Sequence, residues 1–338
     1  MVTGDHAVTA QSVAREVGLN DGPVVTGEQL QGRTPGERDE MLARASVVAR
    51  VDPDVKLELV GVHRSRGEVV AMTGDGVNDA PALRQADVGV AVVGGDATDV
   101  AREAAAVLVT DGDLGTIVAA VQEGRRIFAN LRSTVAYLIS GNLSEIMVVV
   151  GAFPLLAGLA TPFLPIQLLW INLMTDGLPA LALGVDHAPG RASANPRGRA
   201  RGLLDRKGLV AFGGRGFVVT AAVLASGWFA SSRGWSDPVI RSQLLLSLLY
   251  AHLLLAFVSR SDGPALGSGW WRNGYLDAAV GGSAALQVLV FTSASARRVL
   301  HIIALPGGGW LIALVAAAAA FAVIESARAI RRWQEAGN

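Results

Sequence analysis

The sequence contains no cysteine, so it offers neither a disulfide framework nor a thiolate metal site, and soft-metal chemistry is excluded. Lysine is nearly missing as well. Lys56 and Lys207 stand alone among 29 basic residues, and arginine supplies the rest. An excess of charge of either sign is also lacking: 29 basic residues face 29 acidic ones, so no nucleic acid or other polyanion is implied as a partner. The first thirty residues show no basic-then-apolar signal pattern. No internal repeat is visible, and the one low-complexity run is the alanine-rich VAAAAAFAV at 315–323.

What is present is apolar: 51% of the residues are hydrophobic and 17% are charged, which is high apolar content for a soluble chain. The distribution is uneven. Residues 1–132 read as soluble sequence, and residues 133–327 are mostly long uncharged runs. In the soluble part, VVAMTG (69–74), GVAVV (89–93) and AAVLVT (105–110) have the look of buried strands, while APALRQA and DATDVAREAA carry helical spacing. Strands alternating with helices predict a parallel α/β sheet. The stretch 114–134 predicts one long amphipathic helix leading into six segments long enough to cross a bilayer, at about 134–156, 162–184, 209–231, 242–259, 276–295 and 309–326. The loop between the second and third holds Arg191, Arg197, Arg199, Arg201, Arg206 and Lys207, which the positive-inside rule puts in the cytoplasm. Counting crossings from it makes both termini cytoplasmic, in the cell membrane, although Arg297 and Arg298 then fall outside. The expected organisation is a soluble lobe with its stalk helix (1–132), a membrane hairpin (133–186), an arginine-rich loop (187–208) and a four-helix membrane region (209–338).

Two places carry chemistry. TGDGVND sets Asp75 and Asp79 in a glycine-rich turn after an apolar strand, an arrangement of oxygen donors that suits Mg²⁺. A solvated turn accounts for the same residues, since Asp, Asn and Gly form turns. Lys56, just after a proline-bounded turn, is a point charge suited to a phosphoryl oxygen, or a surface lysine. Thr3 and Asp5 of the opening TGD either bond a phosphate oxygen or cap a helix starting near Ala7. In the membrane part, Asn142 and Glu145 share a helical face in the first segment. Asn172, Thr175 and Asp176 do so in the second, where Gly177 and Pro179 are expected to open the helix and free carbonyls. A mid-membrane carboxylate costs about 2.5–3.5 kcal/mol on insertion scales, so two of them point to a bound hard cation such as Ca²⁺. Polar bonding between helices explains Asn or Thr, but explains two acids poorly.

The order TGD, ARVDPDVK, MTGDGVNDAPALRQADVGVAV and then membrane helices resembles the phosphorylation domain of P-type cation-pumping ATPases, of the haloacid-dehalogenase-like superfamily. The likeness runs on through GGDATDVAREAAAVLVTDG and IVAAVQEGRRIFANLRS. It implies a partial Rossmann-like lobe followed by an all-α six-helix membrane bundle. By this resemblance Asp75 matches the Mg²⁺ ligand, Asn78 and Asp79 its partners, Lys56 the phosphate-contacting lysine, and Thr3 and Gly4 phosphate-loop residues. The first two membrane segments resemble those of the sarcoplasmic-reticulum type of calcium pump, in which residues matching Asn142, Glu145, Asn172, Thr175 and Asp176 hold the ion. One departure stands out. His252 falls where an oxygen ligand is expected, so either that site is altered or the ion is not Ca²⁺; hydrogen bonding to a neighbour is the reading preferred for it.

The family's D-K-T-G-T string does not occur; the nearest candidate, Asp205-Arg206-Lys207, lies in the arginine-rich loop. The resemblance therefore implies the back part of a pump. ATP would be used only through a separately encoded N-terminal half that supplies the phosphorylated Asp, and the chain alone would be inactive. The strand bearing that Asp would lie between the strands before the two TGD turns, leaving unpaired edges and a marginal lobe. The alternative is a non-catalytic membrane protein or truncated remnant with residual cation binding. A membrane-tethered phosphatase is excluded by the missing nucleophile.

Overall fold

A computed structural model describes residues 1–19, 22–92, 98–156, 159, 161–187, 204–260, 265 and 273–336. Among these the chain forms two compact units, the first Met1–Val121 and the second the described residues from Gln122 onward. Composition puts the change of character slightly later, at 132.

In the first unit, strands and helices alternate as expected for a parallel α/β arrangement. They run β1 (Val2–Thr3), α1 (Ala7–Glu16), β2 (Val24–Thr26), α2 (Gly27–Leu30), α3 (Pro35–Arg44), β3 (Val47–Ala49), α4 (Pro53–Ser65) and β4 (Ala71–Gly74). A 3₁₀ turn at Val77–Asp79, α5 (Ala80–Gln85), β5 (Val88–Val92), α6 (Asp99–Ala104) and β6 (Val107–Val109) complete the unit. The strands form two parallel sheets of three, ordered β1-β3-β2 and β4-β5-β6. The middle strands β3 and β5 are the buried ones, as apolar runs without alternation require. β1 and β4, the strands that enter the two TGD turns, both lie on sheet edges, and Ala71 and Thr73 of β4 are exposed. Capping holds the small helices. Thr34 and Glu37 form a capping box on α3, whose bonds from the Thr34 backbone and hydroxyl hold the Glu37 carboxyl below its usual range. Helix α1 is capped by His6 Nδ1, 3.4 Å from the Val8 N–H, not by Thr3 or Asp5. Those two residues bond each other instead, with Thr3 Oγ1 3.0 Å from Asp5 Oδ2.

The second unit is helical, and six helices are long and apolar enough to cross a membrane. The expected amphipathic helix and first span are one element, α7 (Leu114–Leu155). Asp111 steadies its start: it accepts from the Thr116 hydroxyl at 2.7 Å and from the Asp113 N–H at 3.1 Å, which holds its carboxyl low. The second span is broken into α8 (Pro165–Trp170), a π turn at Ile171–Thr175, and α9 (Gly177–Gly184). After it come α10 (Arg206–Ser232), α11 (Asp237–Ser259), α12 (Gly274–Thr292), the short α13 (Ala294–Val299) and α14 (Gly309–Ala336). Helix α10 begins inside the expected loop because Asp205 caps it, accepting from the Gly208 N–H at 3.0 Å. Arg191, Arg197, Arg199 and Arg201 of that loop lie outside the described residues, as does the GGD at 94–96.

Helix α11 is the centre of this unit. Its apolar window is 83% buried, against 28–39% for the other five spans, and it packs against α9, α10, α12 and α14. Leu244, Leu245, Leu246, Leu248 and Leu249 are all fully buried, the all-round apolar surface of a helix with protein on every side. Gly227 lets α10 approach it: a Cβ there would stand 2.5 Å from Leu244 Cδ2. Outward-facing Ile146, Val150, Phe153 and Leu181 are exposed, as lipid-facing side chains are.

Candidate cation site and phosphate-handling turn

Sequence periodicity brings Glu145 of α7 towards the broken second span, and the structure closes the distance. Asn172 Nδ2 donates to Glu145 Oε2 at 3.3 Å. The π turn has a local signature: the Asp176 N–H bonds Ile171 O at 2.9 Å, one residue further back than in an α-helix. Such a turn lengthens the loop of backbone around one carbonyl and swings the following side chain inward. The opening thus lies before Asp176, not at Gly177 and Pro179. Pro179 falls in the first turn of α9, where a missing N–H is tolerated, and deprives only the Thr175 carbonyl of its helical donor.

Asp176 and Thr175 are buried completely or nearly so, and Glu145 is 7% exposed. Tyr137 OH donates to Asp176 Oδ1 at 2.8 Å, and His252 Nδ1 lies 3.1 Å from both Asp176 oxygens. His252 Nε2 is 2.9 Å from Ser144 Oγ. The ring thus bonds a neighbour, as preferred from the sequence, and that neighbour is a candidate ligand. Gln287 of α12 donates from Nε2 to Thr175 Oγ1 at 3.1 Å and accepts from Trp170 Nε1 at 3.0 Å. Glu145 Oε1 is buried without a hydrogen-bond partner. One ligand atom each from Glu145, Asp176 and His252 lies within 4.8 Å of the others. A buried, unpaired carboxylate oxygen beside a second carboxylate costs free energy that a bound cation removes.

Of the five expected side chains, Glu145 and Asp176 meet in the cluster, Asn172 reaches Glu145 from an exposed position, and Thr175, buried next to Asp176 in the chain, is bonded to Gln287. Asn142 does not join them. It lies on an exposed face of α7, because three residues on a helix leave a 60° offset between it and Glu145. Tyr137, Ser144 and Gln287 join the site without having been expected from sequence; Tyr137 and Gln287 are polar residues in apolar runs, the signal by which they are found, whereas Ser144 is one polar residue among several in SGNLSE.

In the first unit, Lys56 stands in the first turn of α4, started by Pro53. Its Nζ is 2.6 Å from Asp79 Oδ1, and Asp79 is buried. Asp75 and Asn78 are exposed. The Asp75 carbonyl accepts from the Thr98 N–H at 3.0 Å, which ties the turn to the start of α6 and leaves the Asp75 carboxylate outward. Gly74 is required: a Cβ there would stand 2.5 Å from Asp79 Cβ and 2.8 Å from its Oδ2. Gly74→Ala is expected to cost about 1–3 kcal/mol through overpacking. Hydrogen exchange in β4 and β5 checks this, since protection there falls with the local opening energy.

The sequence profile described as the C-terminus of cation-transporting ATPases matches residues 160–330, half of the chain, and the haloacid dehalogenase-like hydrolase profile matches residues 1–87. The chain is 36% identical over 318 residues to a calcium-transporting ATPase of Bacillus subtilis, covering 93% of this chain and 35% of the relative. Against a calcium-transporting ATPase of Listeria monocytogenes it is 39% identical over 284 residues, 83% of this chain and 32% of the relative. Calcium-transporting ATPase 1 of Lactococcus lactis is 36% identical over 336 residues, 98% of this chain and 38% of the relative. The chain thus spans about a third of the length of these relatives. With a haloacid-dehalogenase-like first unit and six membrane-capable helices, this multi-pass membrane protein belongs to the cation-transporting ATPases.

Proposed function

We propose that the chain is the C-terminal portion of an ATP-driven transporter of a divalent cation, and that it carries the ion-binding part of the membrane path. The observation that carries this is the pair of buried carboxylates, Glu145 and Asp176, meeting at a π turn between membrane-capable helices with Asn172 and Thr175 beside them. The oxygen donors taken by themselves suit Ca²⁺, the ion named for the relatives. Asn142, on the exposed face of α7, would complete the set against helices supplied by the rest of the pump.

In the first unit, Asp75, Asp79 and Lys56 would handle Mg²⁺ and the phosphoryl group, with Asn78 beside them and Thr3, Gly4 and Asp5 as a phosphate loop. The residues fit a Mg²⁺ ion: Asp75 presents an exposed carboxylate, and Gly74 keeps open the space beside Asp79 Oδ2 that a Cβ would fill. When bound, Mg²⁺ neutralises phosphate charge. Lys56, already paired with Asp79, offers a second cation to phosphate. The phosphorylated Asp and the nucleotide-binding domain would come from the front part of the pump, since no D-K-T-G-T string occurs in these 338 residues. Its nucleophile strand would pair with the open edges of β1 and β4. The assembly would sit in the cell membrane with both termini cytoplasmic.

Co-expression with a front half bearing D-K-T-G-T, followed by labelling with ATP, tests this. The expected result is an acid-stable phosphoprotein on the front half, formed only when this chain is present, dependent on the cation and lost in Asp75→Asn. No phosphoprotein on either chain overturns the reading in favour of a non-catalytic membrane protein.

A further inference from the structure

Both ring nitrogens of His252 are engaged inside the acidic cluster. Ser144 Oγ gives its one proton to the Gly141 carbonyl at 2.7 Å. In its 2.9 Å contact with His252 Nε2 it must therefore accept, so Nε2 carries the N–H. The lone pair of the neutral ring is then on Nδ1, and Nδ1 faces Asp176 at 3.1 Å from both oxygens. Glu145 Oε1 lies buried and unpartnered in the same cluster. The donors that reach these acids, Tyr137 and Asn172, are each used on one oxygen. With the ring neutral, three electron-rich atoms converge: His252 Nδ1 and one carboxylate oxygen each from Asp176 and Glu145.

We propose that His252 Nδ1 is itself a ligand of the cargo, and that this site takes a first-row divalent transition ion more tightly than Ca²⁺. The proposal rests on the reading of this cluster as the cargo site. Imidazole is a good ligand for borderline divalent ions and a poor one for Ca²⁺, whose shell is built of oxygens. Ser144 supplies the outer contact that metal-bound histidines show, fixing the tautomer and the ring plane. Gly141 seats the ring against bare backbone: a Cβ there would stand 3.2 Å from His252 Cε1 and 3.5 Å from Asp176 Oδ2. The softest ions are disfavoured, because the chain has no cysteine.

Equilibrium dialysis of the purified full-length chain in detergent against Co²⁺ and Ca²⁺, joined to X-ray absorption at the cobalt edge, tests the proposal. Binding at this site is the part that disappears in Asp176→Asn, which removes background from the other four histidines. Co²⁺ is expected to bind there roughly tenfold or more tightly than Ca²⁺, with the outer-shell scattering of one imidazole. His252→Gln removes that scattering and lowers Co²⁺ affinity roughly tenfold or more, while Ca²⁺ affinity changes little. Asp176-dependent Co²⁺ binding without imidazole scattering overturns the proposal and leaves the cargo site standing. A His252→Gln variant that binds both ions more tightly also overturns it, since the ring is then a charged stand-in for the ion. Absence of Asp176-dependent binding of either ion overturns both this proposal and the cargo reading.

Discussion

Asp176→Asn is expected to lower divalent-cation affinity by about a hundredfold or more, equivalent to about 2.8 kcal/mol, while the fold survives. The two halves of that expectation have separate physical origins. Asparagine keeps the shape and the bond from Tyr137, because its carbonyl oxygen takes the place of Oδ1, 2.8 Å from the hydroxyl. Its amide N–H can donate to the Nδ1 lone pair of a neutral His252 ring, so the contact with His252 is kept. Apo stability should therefore hold or rise, since a buried charge has been removed. Cation binding should collapse, because one of two full charges facing the ion is gone. Isothermal titration alongside thermal unfolding of the detergent-solubilised chain separates the two. A variant that binds as tightly as the parent places the cation elsewhere, and a variant that unfolds makes Asp176 a structural residue.

Asp186→Ala is expected to destabilise the second unit by about 3–5 kcal/mol, the usual cost of removing one member of a buried ion pair. Arg260 Nε is 2.9 Å from Asp186 Oδ2, and the two residues are 8% and 1% exposed. The pair joins the end of α11 to the end of α9. Ser133 of α7 adds a bond to the Arg260 carbonyl at 3.2 Å, and Asn130 of α7 donates to the Asp186 carbonyl at 2.8 Å. This cluster therefore clamps the three elements that carry Glu145, Asp176 and His252. Replacing both partners by apolar residues, Asp186→Leu with Arg260→Met, should recover part of the loss, since well-packed apolar residues can replace a buried ion pair at little cost. Tryptophan fluorescence during thermal unfolding reads the change directly, as Trp170, Trp228, Trp235 and Trp310 all lie in this unit. A single variant that melts like the parent would mean that the pair contributes nothing net.

How far the sequence reached depended on the range of the interaction. Alternation of apolar runs with helical spacing located β4, β5 and β6 and the helices between them, because burial on both faces imposes unbroken apolar strands. Long uncharged runs located all six spans, because hydrocarbon admits few alternatives. Glu145 and Asp176 were legible as candidate site residues for the same reason, since an acid in an apolar run needs a function or a partner.

The tertiary structure decided the rest, and in each case through contacts between residues far apart in the chain. Periodicity put Asn142 and Glu145 on one face, yet a cluster built from α7, the π turn and α11 is narrow enough to take one and leave the other exposed. The break before Asp176 is set by an i to i+5 bond that no residue type announces. Lys56 and Asp79, 23 residues apart, meet only because α4 and the turn after β4 pack together. His252 was visible in the sequence as a histidine in a leucine-rich span. That its Nε2 is spent on Ser144, leaving Nδ1 to face both oxygens of the Asp176 carboxylate, follows from a packing 108 residues away. Local pattern determined the elements and their medium; the direction of each buried polar atom came from which helices touch.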